Sequence, residues 1–176
     1  MNFKVIAAVD LNYLMGYDNI IPWHKPADLK RFKQKTLNQI VVMGRKTYDS
    51  IGKALPNRTN CVISKNPGNI KNLSPGVIIF TSFQEMIEKL KDSNKTIWII
   101  GGAQIYAEAF LTDLVSEIDL TILNGRWVPP NSDSEEIRKQ KTILFPRIPL
   151  EYTIESEEVN IEDNSLLHRK YMRSYW

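Results

Sequence analysis

"QIVVMGRKTYDSIGKALPNRTNCVIS" (39–64) decides the fold. An apolar strand pattern, "QIVVMG" (39–44), ends at Gly44 and passes into a short helix that opens on Arg45, Lys46 and Thr47. A second run, "NCVIS" (60–64), follows. Strand, helix and strand in close succession give parallel neighbours in one sheet. Outward from this unit the pattern repeats. Further strands are expected at "FKVIAAV" (3–9), "GVIIF" (76–80), "TIWIIG" (96–101) and "EIDLTIL" (117–123). Several are apolar throughout, as strands covered on both faces must be. "SFQEMIEKL" (82–90) is predicted as a helix, with Phe83, Met86, Ile87 and Leu90 on one face and Ser82 and Glu85 as a capping box. "AQIYAEAF" (103–110) repeats that logic, and Pro26 is placed to open another helix. The tail, 152–175, reads as two strands around "EDNS" (162–165), an antiparallel addition to the sheet edge. The expectation is a single α/β domain over 1–176: a mostly parallel sheet of about eight strands with an antiparallel C-terminal strand, and about four helices. "NGRWVPPNSDSEEIRKQK" (124–141) stands apart as polar and proline-bearing, and 124–143 is expected to be an inserted surface loop in which "SEEIRKQK" can form a turn or two of helix.

Composition narrows the function. A chain of 176 residues, 43% hydrophobic and 24% charged, can bury a sizeable core. No apolar run approaches the ~20 residues of a membrane span, and the apolar run near the N-terminus is too short for a secretory signal. A single cysteine, Cys61, leaves no internal disulfide and fits a reducing cytoplasm. His24 and His168 lie far apart without metal-ligand spacing, so no metal site is expected. A net charge of +3, with no basic stripe interleaved with aromatics, admits an anionic ligand but makes no case for nucleic acid.

Three predicted strand ends share one chemistry. Gly44 leads into Arg45-Lys46-Thr47, Gly101-Gly102 leads into the helix at 103, and "VISKNPG" (62–68) sets Ser64 and Lys65 at a third end. Glycine admits a phosphate close to the backbone, and a helix N-terminus offers unpaired N–H donors. Any one of these is ordinary turn chemistry; three together at strand ends favour a dinucleotide. Where a site for the unphosphorylated cofactor carries an acid to bind the ribose, this chain has Ser64 and Lys65, with Arg45 nearby, which suits a 2′-phosphate and hence NADPH. The full G-x-G-x-x-G pattern is missing. In "IIPWHKPADLKRFK" (20–33), Asp28 falls in the first helical turn beside Leu29 and Phe32, both expected to point inward. An acid there commonly does no more than offset the helix dipole.

"IPWHKPADLKRFK", "VVMGRKTYDSIGKALPNRTNCVIS" and "WIIGGAQIY", in this order and spacing, resemble dihydrofolate reductase, from Val5 to about Thr121, and again from "FP" (145–146) into the C-terminal strands. The resemblance implies reduction of 7,8-dihydrofolate to 5,6,7,8-tetrahydrofolate by hydride transfer from nicotinamide C4 to pterin C6 with protonation at N5, in support of thymidylate and one-carbon metabolism. It implies NADPH as cofactor, antifolates as inhibitors, and a cytoplasmic monomer. It makes Asp28 the carboxylate that binds the pterin amino group and ring N–H, two donors matched to two oxygens. Ile21 and Trp23 join it on the catalytic side. Ile6, Ala7, Leu29, Phe32, Ile51, Leu55, Ile100, Tyr106 and Thr121 are implied for the substrate, and Arg58 for the carboxylate of its glutamate tail. Implied for the cofactor are Ala8, Met15, Gly16 and Ile21; Gly44, Arg45, Lys46 and Thr47; Ile63, Ser64 and Lys65; and Gly101, Gly102, Ala103, Gln104, Ile105 and Tyr106. Gly101-Gly102 matches a pair joined by a cis peptide, and 14–24 matches a mobile loop that closes over the nicotinamide. Two departures stand out: Gln104 where many bacterial members have arginine, and Lys141 where the family often has an acid. The alternatives are a same-fold reductase of riboflavin biosynthesis and a non-catalytic nucleotide-binding protein.

Overall fold

Strands apolar on both faces need cover on both sides, and the helices provide it. The computed structural model describes residues 2–174. It contains β1 (Phe3–Val9), β2 (Leu14–Tyr17), α1 (Pro26–Thr36), β3 (Ile40–Gly44), α2 (Arg45–Ile51), β4 (Thr59–Ile63), β5 (Ile78–Phe80) and α3 (Phe83–Leu90). β6 (Ile97–Gly101), α4 (Ala103–Phe110), β7 (Val115–Leu123), α5 (Glu135–Lys141), β8 (Thr142–Leu144), β9 (Tyr152–Val159) and β10 (Leu166–Arg173) complete it. Eight strands form one sheet in the order β5-β4-β3-β6-β1-β7-β10-β9. It is parallel from β5 through β7, and β10 and β9 are added antiparallel. Among the described residues no helix is long and apolar enough to cross a membrane.

The strand period of two divides the core. On β3, Ile40 and Val42 join Phe83, Met86, Ile105 and Ala109 of α3 and α4 in one cluster. Val41 and Met43 face the other way, with Tyr48 and Ile51 of α2 and Phe32 of α1. β7 is different. Ile118, Leu120 and Ile122 enter the first cluster, while Glu117, Asp119 and Thr121 are buried on the opposite face. That face is a polar layer beneath α1: Lys4 pairs with Glu117 at 2.8 Å, and Arg31 and Lys35 pair with Asp119 at 2.6 and 3.2 Å.

Among the described residues there are five α-helices, in line with the expected number of about four, and the turn or two of helix expected in "SEEIRKQK" is Glu135–Lys141, capped by Ser134, whose Oγ accepts from Ile137 N. Three expectations need correction. The segment 14–24 is not all loop: its first four residues are β2, which pairs antiparallel with β8 in a separate two-stranded sheet. The capping box of α3 is half formed, since Ser82 Oγ accepts from Glu85 N but Glu85 Oε2 turns back to Thr81, accepting from its N–H and its hydroxyl at 2.7 Å. Leu29 does not point into the core; it is 51% exposed. The two tail strands fall at 152–159 and 166–173; the predicted end at residue 175 lies outside the described residues.

Candidate active site

The carboxyl ends of β1, β3, β4 and β6 open into one elongated cleft of about 1220 Å³. α1 supplies one wall through Asp28, Leu29 and Phe32; Ile6, Ala7 and Ala8 of β1 lie at its base. Ile51 and Leu55 continue the apolar lining, with Ile100 facing them from β6. This accounts for the exposure of Leu29: it faces the cleft instead of the core. Asp28 is the carboxylate set into this apolar end. Burial pushes its pKa above the ordinary carboxylate value and the neighbouring Asp119 adds to the rise, while a hydrogen bond from Thr121 and the charge of Arg31 oppose it.

The other end is built to admit an anion. Gly44 and Gly102 are the N-cap residues of α2 and α4, and neither helix has a side-chain cap. Gly101 and Gly102 are joined by a cis peptide. Side chains here would close the crevice: a Cβ on Gly44 would stand 3.1 Å from Ile105, and one on Gly102 3.3 Å from Thr47 Oγ1. Arg45, Lys46 and Thr47 line this end, as do Ile63, Ser64 and Lys65, and Ala103, Gln104 and Ile105. Arg45 is partly neutralised by Asp49 at 3.1 Å. Tyr106 lines the middle, its hydroxyl donating to Ile6 O at 2.8 Å, and burial raises its phenol well above the ordinary value. Met15, Gly16 and Ile21 reach over from β2 and the loop after it.

Three residues implied for the site do not line the cleft. Thr121 lies behind Asp28 on β7. Arg58 stands beyond the apolar end, its Nε donating to Pro56 O at 2.9 Å, its Nη1 to Thr36 Oγ1 at 3.1 Å, and its guanidinium over the Phe32 ring at 5.9 Å. Trp23 is half-buried in the connecting loop. The cleft also holds residues that the sequence reading did not assign to it. Thr81 and Ser82 follow β5, a fourth strand end that the rule applied to the other three would have found. Asn66 precedes and Asn69 ends a 3-10 turn, Pro67–Asn69. Gln140, Lys141 and Ile143 come from the segment expected to be surface elaboration.

A two-sided α/β sheet whose strand ends converge on one cleft, anion-admitting at one end and carboxylate-bearing in an apolar pocket at the other, is the arrangement of a nucleotide-binding α/β protein with a second pocket beside the nucleotide. The sequence model of the dihydrofolate reductase family matches residues 2–161. The chain belongs to that family. It is 48% identical over 109 residues to the type 3 dihydrofolate reductase of Salmonella typhimurium, covering 62% of this chain and 65% of that one. It is 39% identical over 126 residues to dihydrofolate reductase of Haemophilus influenzae, covering 68% of this chain and 76% of that one. The matched stretch thus spans just under two thirds of the Salmonella relative's length. A dihydrofolate reductase from Enterococcus faecalis, complexed with NADP(H) and RAB-propyl, superposes with a TM-score of 0.82 over 99% of this chain and 97% of that one; at 24% identity it speaks for the fold alone.

Proposed function

We propose that the protein reduces 7,8-dihydrofolate to 5,6,7,8-tetrahydrofolate with NADPH, and so supplies thymidylate and one-carbon metabolism. A single observation carries this: the one carboxylate in the apolar half of the cleft, Asp28, is held by Thr121 at the far end from the glycine-bounded crevice. The crevice fits the cofactor. Its glycines leave room for a pyrophosphate, the open N-terminus of α4 donates to it, and Ser64 and Lys65 suit a 2′-phosphate. When bound, NADPH supplies the hydride from nicotinamide C4 to pterin C6.

The chain does the rest. Asp28 accepts from the pterin amino group and ring N–H, fixing the ring's plane, and its negative charge favours the protonated ring. Family geometry sets Asp28 too far from N5 to deliver the proton itself, so its part is electrostatic and orienting, with water as the donor. Leu29, Phe32, Ile51 and Leu55 pack the rings and their substituents, and Arg58 binds the glutamate tail. Ile21 and Trp23, on the segment that follows β2, exclude water from the reacting atoms. Antifolates that present the same amidine edge to Asp28 compete for this pocket. Residues 1–176 act as one catalytic domain with 124–143 an insertion, and the protein works as a cytoplasmic monomer. The deciding experiment is NADPH oxidation by the purified protein with and without dihydrofolate. Oxidation that does not depend on dihydrofolate, or none, refutes the proposal.

A further inference from the structure

Asn160 follows β9 in the turn to β10, and its carbonyl oxygen is fully committed. Oδ1 accepts from Glu162 N at 2.8 Å and from Asp163 N at 2.9 Å. The amide nitrogen therefore faces His168, 2.8 Å from Nε2. An amide nitrogen only donates, so Nε2 accepts and carries no hydrogen. A neutral imidazole then holds its hydrogen on Nδ1, which lies 3.1 Å from Thr121 Oγ1. Nδ1 donates and the threonine oxygen accepts. The hydroxyl has one hydrogen to give, and Thr121 acts on Asp28 as a hydrogen-bond donor that lowers its pKa. Direction thus passes from a surface turn, through a buried imidazole, to the carboxylate of the cleft.

The surroundings keep the ring neutral. His168 is 5% exposed. α1 sets Arg31 and Lys35 toward it, β7 contributes Asp119, and Glu158 of β9 is its cross-strand neighbour. Burial and the two cations outweigh the two acids and hold its pKa below the ordinary histidine value. The turn is itself fastened to the start of α1: Lys25 Nζ donates to Asp163 Oδ2 at 3.0 Å and to Ser165 Oγ at 2.6 Å, and Lys30 pairs with Glu162.

We propose that His168 is a positioning residue: by donating to Thr121 it aims the threonine hydrogen at Asp28, and Asn160 fixes the tautomer that makes this possible. The proposal rests on Asp28 being the pterin-binding carboxylate. Without the imidazole donor the hydroxyl is free to turn away, and Asp28 loses a hydrogen bond that favours its charged form.

Long-range nitrogen–proton NMR on the unmodified protein reads the tautomer directly. Hydrogen on Nδ1 with Nε2 bare is expected; hydrogen on Nε2 overturns the proposal, and this measurement does not depend on activity. Single-turnover hydride transfer against pH reads the consequence. His168→Leu should move the midpoint of the profile up by about one unit, the scale of a lost hydrogen bond to a charged group. His168→Asn keeps a donor at the Nδ1 position and should restore the parent profile. A leucine variant that is folded and superimposes on the parent at every pH overturns the proposal. A parent with no dihydrofolate-dependent activity overturns the functional assignment instead, and the tautomer measurement still decides the hydrogen-bond chain.

Discussion

Arg31 Nη2 lies 2.6 Å from Asp119 Oδ1, with the carboxylate wholly buried beneath α1 and Asp28 one helical turn earlier on the same helix. Lys35 is the second cation on Asp119, at 3.2 Å. An acid between two cations is sound only while all are present, because removing one partner strands a buried charge. Asp119→Ala should destabilise the protein by about 3–5 kcal/mol, the usual cost of breaking such a pair. Urea unfolding at neutral pH measures it. A loss of a few tenths would mean that water already reaches Arg31.

Asp28 should show the opposite behaviour. Burial, its leading influence, raises its pKa, so between the unfolded-chain value and the raised one the folded protein holds a proton the unfolded chain has released. The stability linked to this group is present at low pH and is lost as pH rises through the folded-state value. Asparagine does not ionise and escapes that loss. Asp28→Asn should slow hydride transfer at neutral pH by orders of magnitude yet unfold at a higher temperature than the parent, by about 2–4 °C for each kcal/mol of relieved desolvation. The thermal gap should close below about pH 4, the ordinary carboxylate value. Thermal melts at the two pH values, beside pre-steady-state rates, test both halves.

Arg58 is held in place by Pro56 O, Thr36 and the face of Phe32, with its guanidinium half-buried. Burial lowers its pKa somewhat, but a guanidinium stays charged at neutral pH. Arg58→Ala should raise the Michaelis constant for dihydrofolate roughly ten- to hundredfold, the worth of a charge-assisted bidentate contact. A pterin without the glutamate tail should barely notice the change. Equal effects on the two substrates would remove Arg58 from tail binding.

Cys61 lies on β4 with no exposure, and burial pushes its thiol pKa up to about 12. A thiol that is neither exposed nor ionised does not react. Alkylation in native buffer should be negligible and should become complete in denaturant, with labelling that follows unfolding monitored by fluorescence. Fast native labelling would show local opening of β4.

The parallel half of the sheet was legible because its strands are continuous apolar runs ended by glycine, as at 39–44 and 96–101. The β7 segment "EIDLTIL" carried a different signal: polar and apolar residues alternate from Glu117 to Ile122, the mark of a strand with one polar face. That alternation, not used in the strand assignment, marks a polar face but not its burial, which depends on Arg31 and Lys35 arriving from α1, 84–88 positions away in sequence from Asp119. The cleft's glycines, Asp28 and the basic strand ends could be read locally. His168, Asn160 and Lys141 could not, because their partners are set by the pairing of β10 with β7 and by the packing of the insertion. α5 could be read only as a turn or two of helix for a local reason: it has a serine cap and acids in its first turn, both visible in "SDSEEIRKQK", but no apolar stripe to advertise it.

The insertion is fastened to the segment that roofs the cleft. Tyr17 donates its hydroxyl to Asp133, Lys141 Nζ lies 3.2 Å from Asp133 and 3.9 Å from Asp18, and Asp18 N donates to Lys141 O at 2.9 Å. Trp127 packs against Tyr17 with ring centroids 4.8 Å apart, and its backbone N–H donates to Asp10 Oδ2 at 2.9 Å. Lys141 thus holds an acid of the roof from the insertion's side. The hydrogen bond from Tyr17 and then the ammonium of Lys141 keep Asp133 below the ordinary carboxylate value. A depressed pKa means that the contact is made above the unfolded value and is lost as pH falls through the folded one. Asp133→Ala releases both Tyr17 and Lys141 but removes nothing that touches the pterin pocket. The Michaelis constant for NADPH should rise about three- to tenfold, the scale of one or two modest polar contacts, while single-turnover hydride transfer at saturating cofactor stays near the parent rate. Replacing residues 128–140 with a short Gly/Asn turn should have the same signature in stronger form, with product release faster because the roof is less firmly held. Stopped-flow hydride transfer and cofactor-release rates on both variants separate the outcomes: a collapse of the chemical step in a folded protein would place the insertion within the reacting site, and unchanged cofactor kinetics would show that the fastening does not govern the roof.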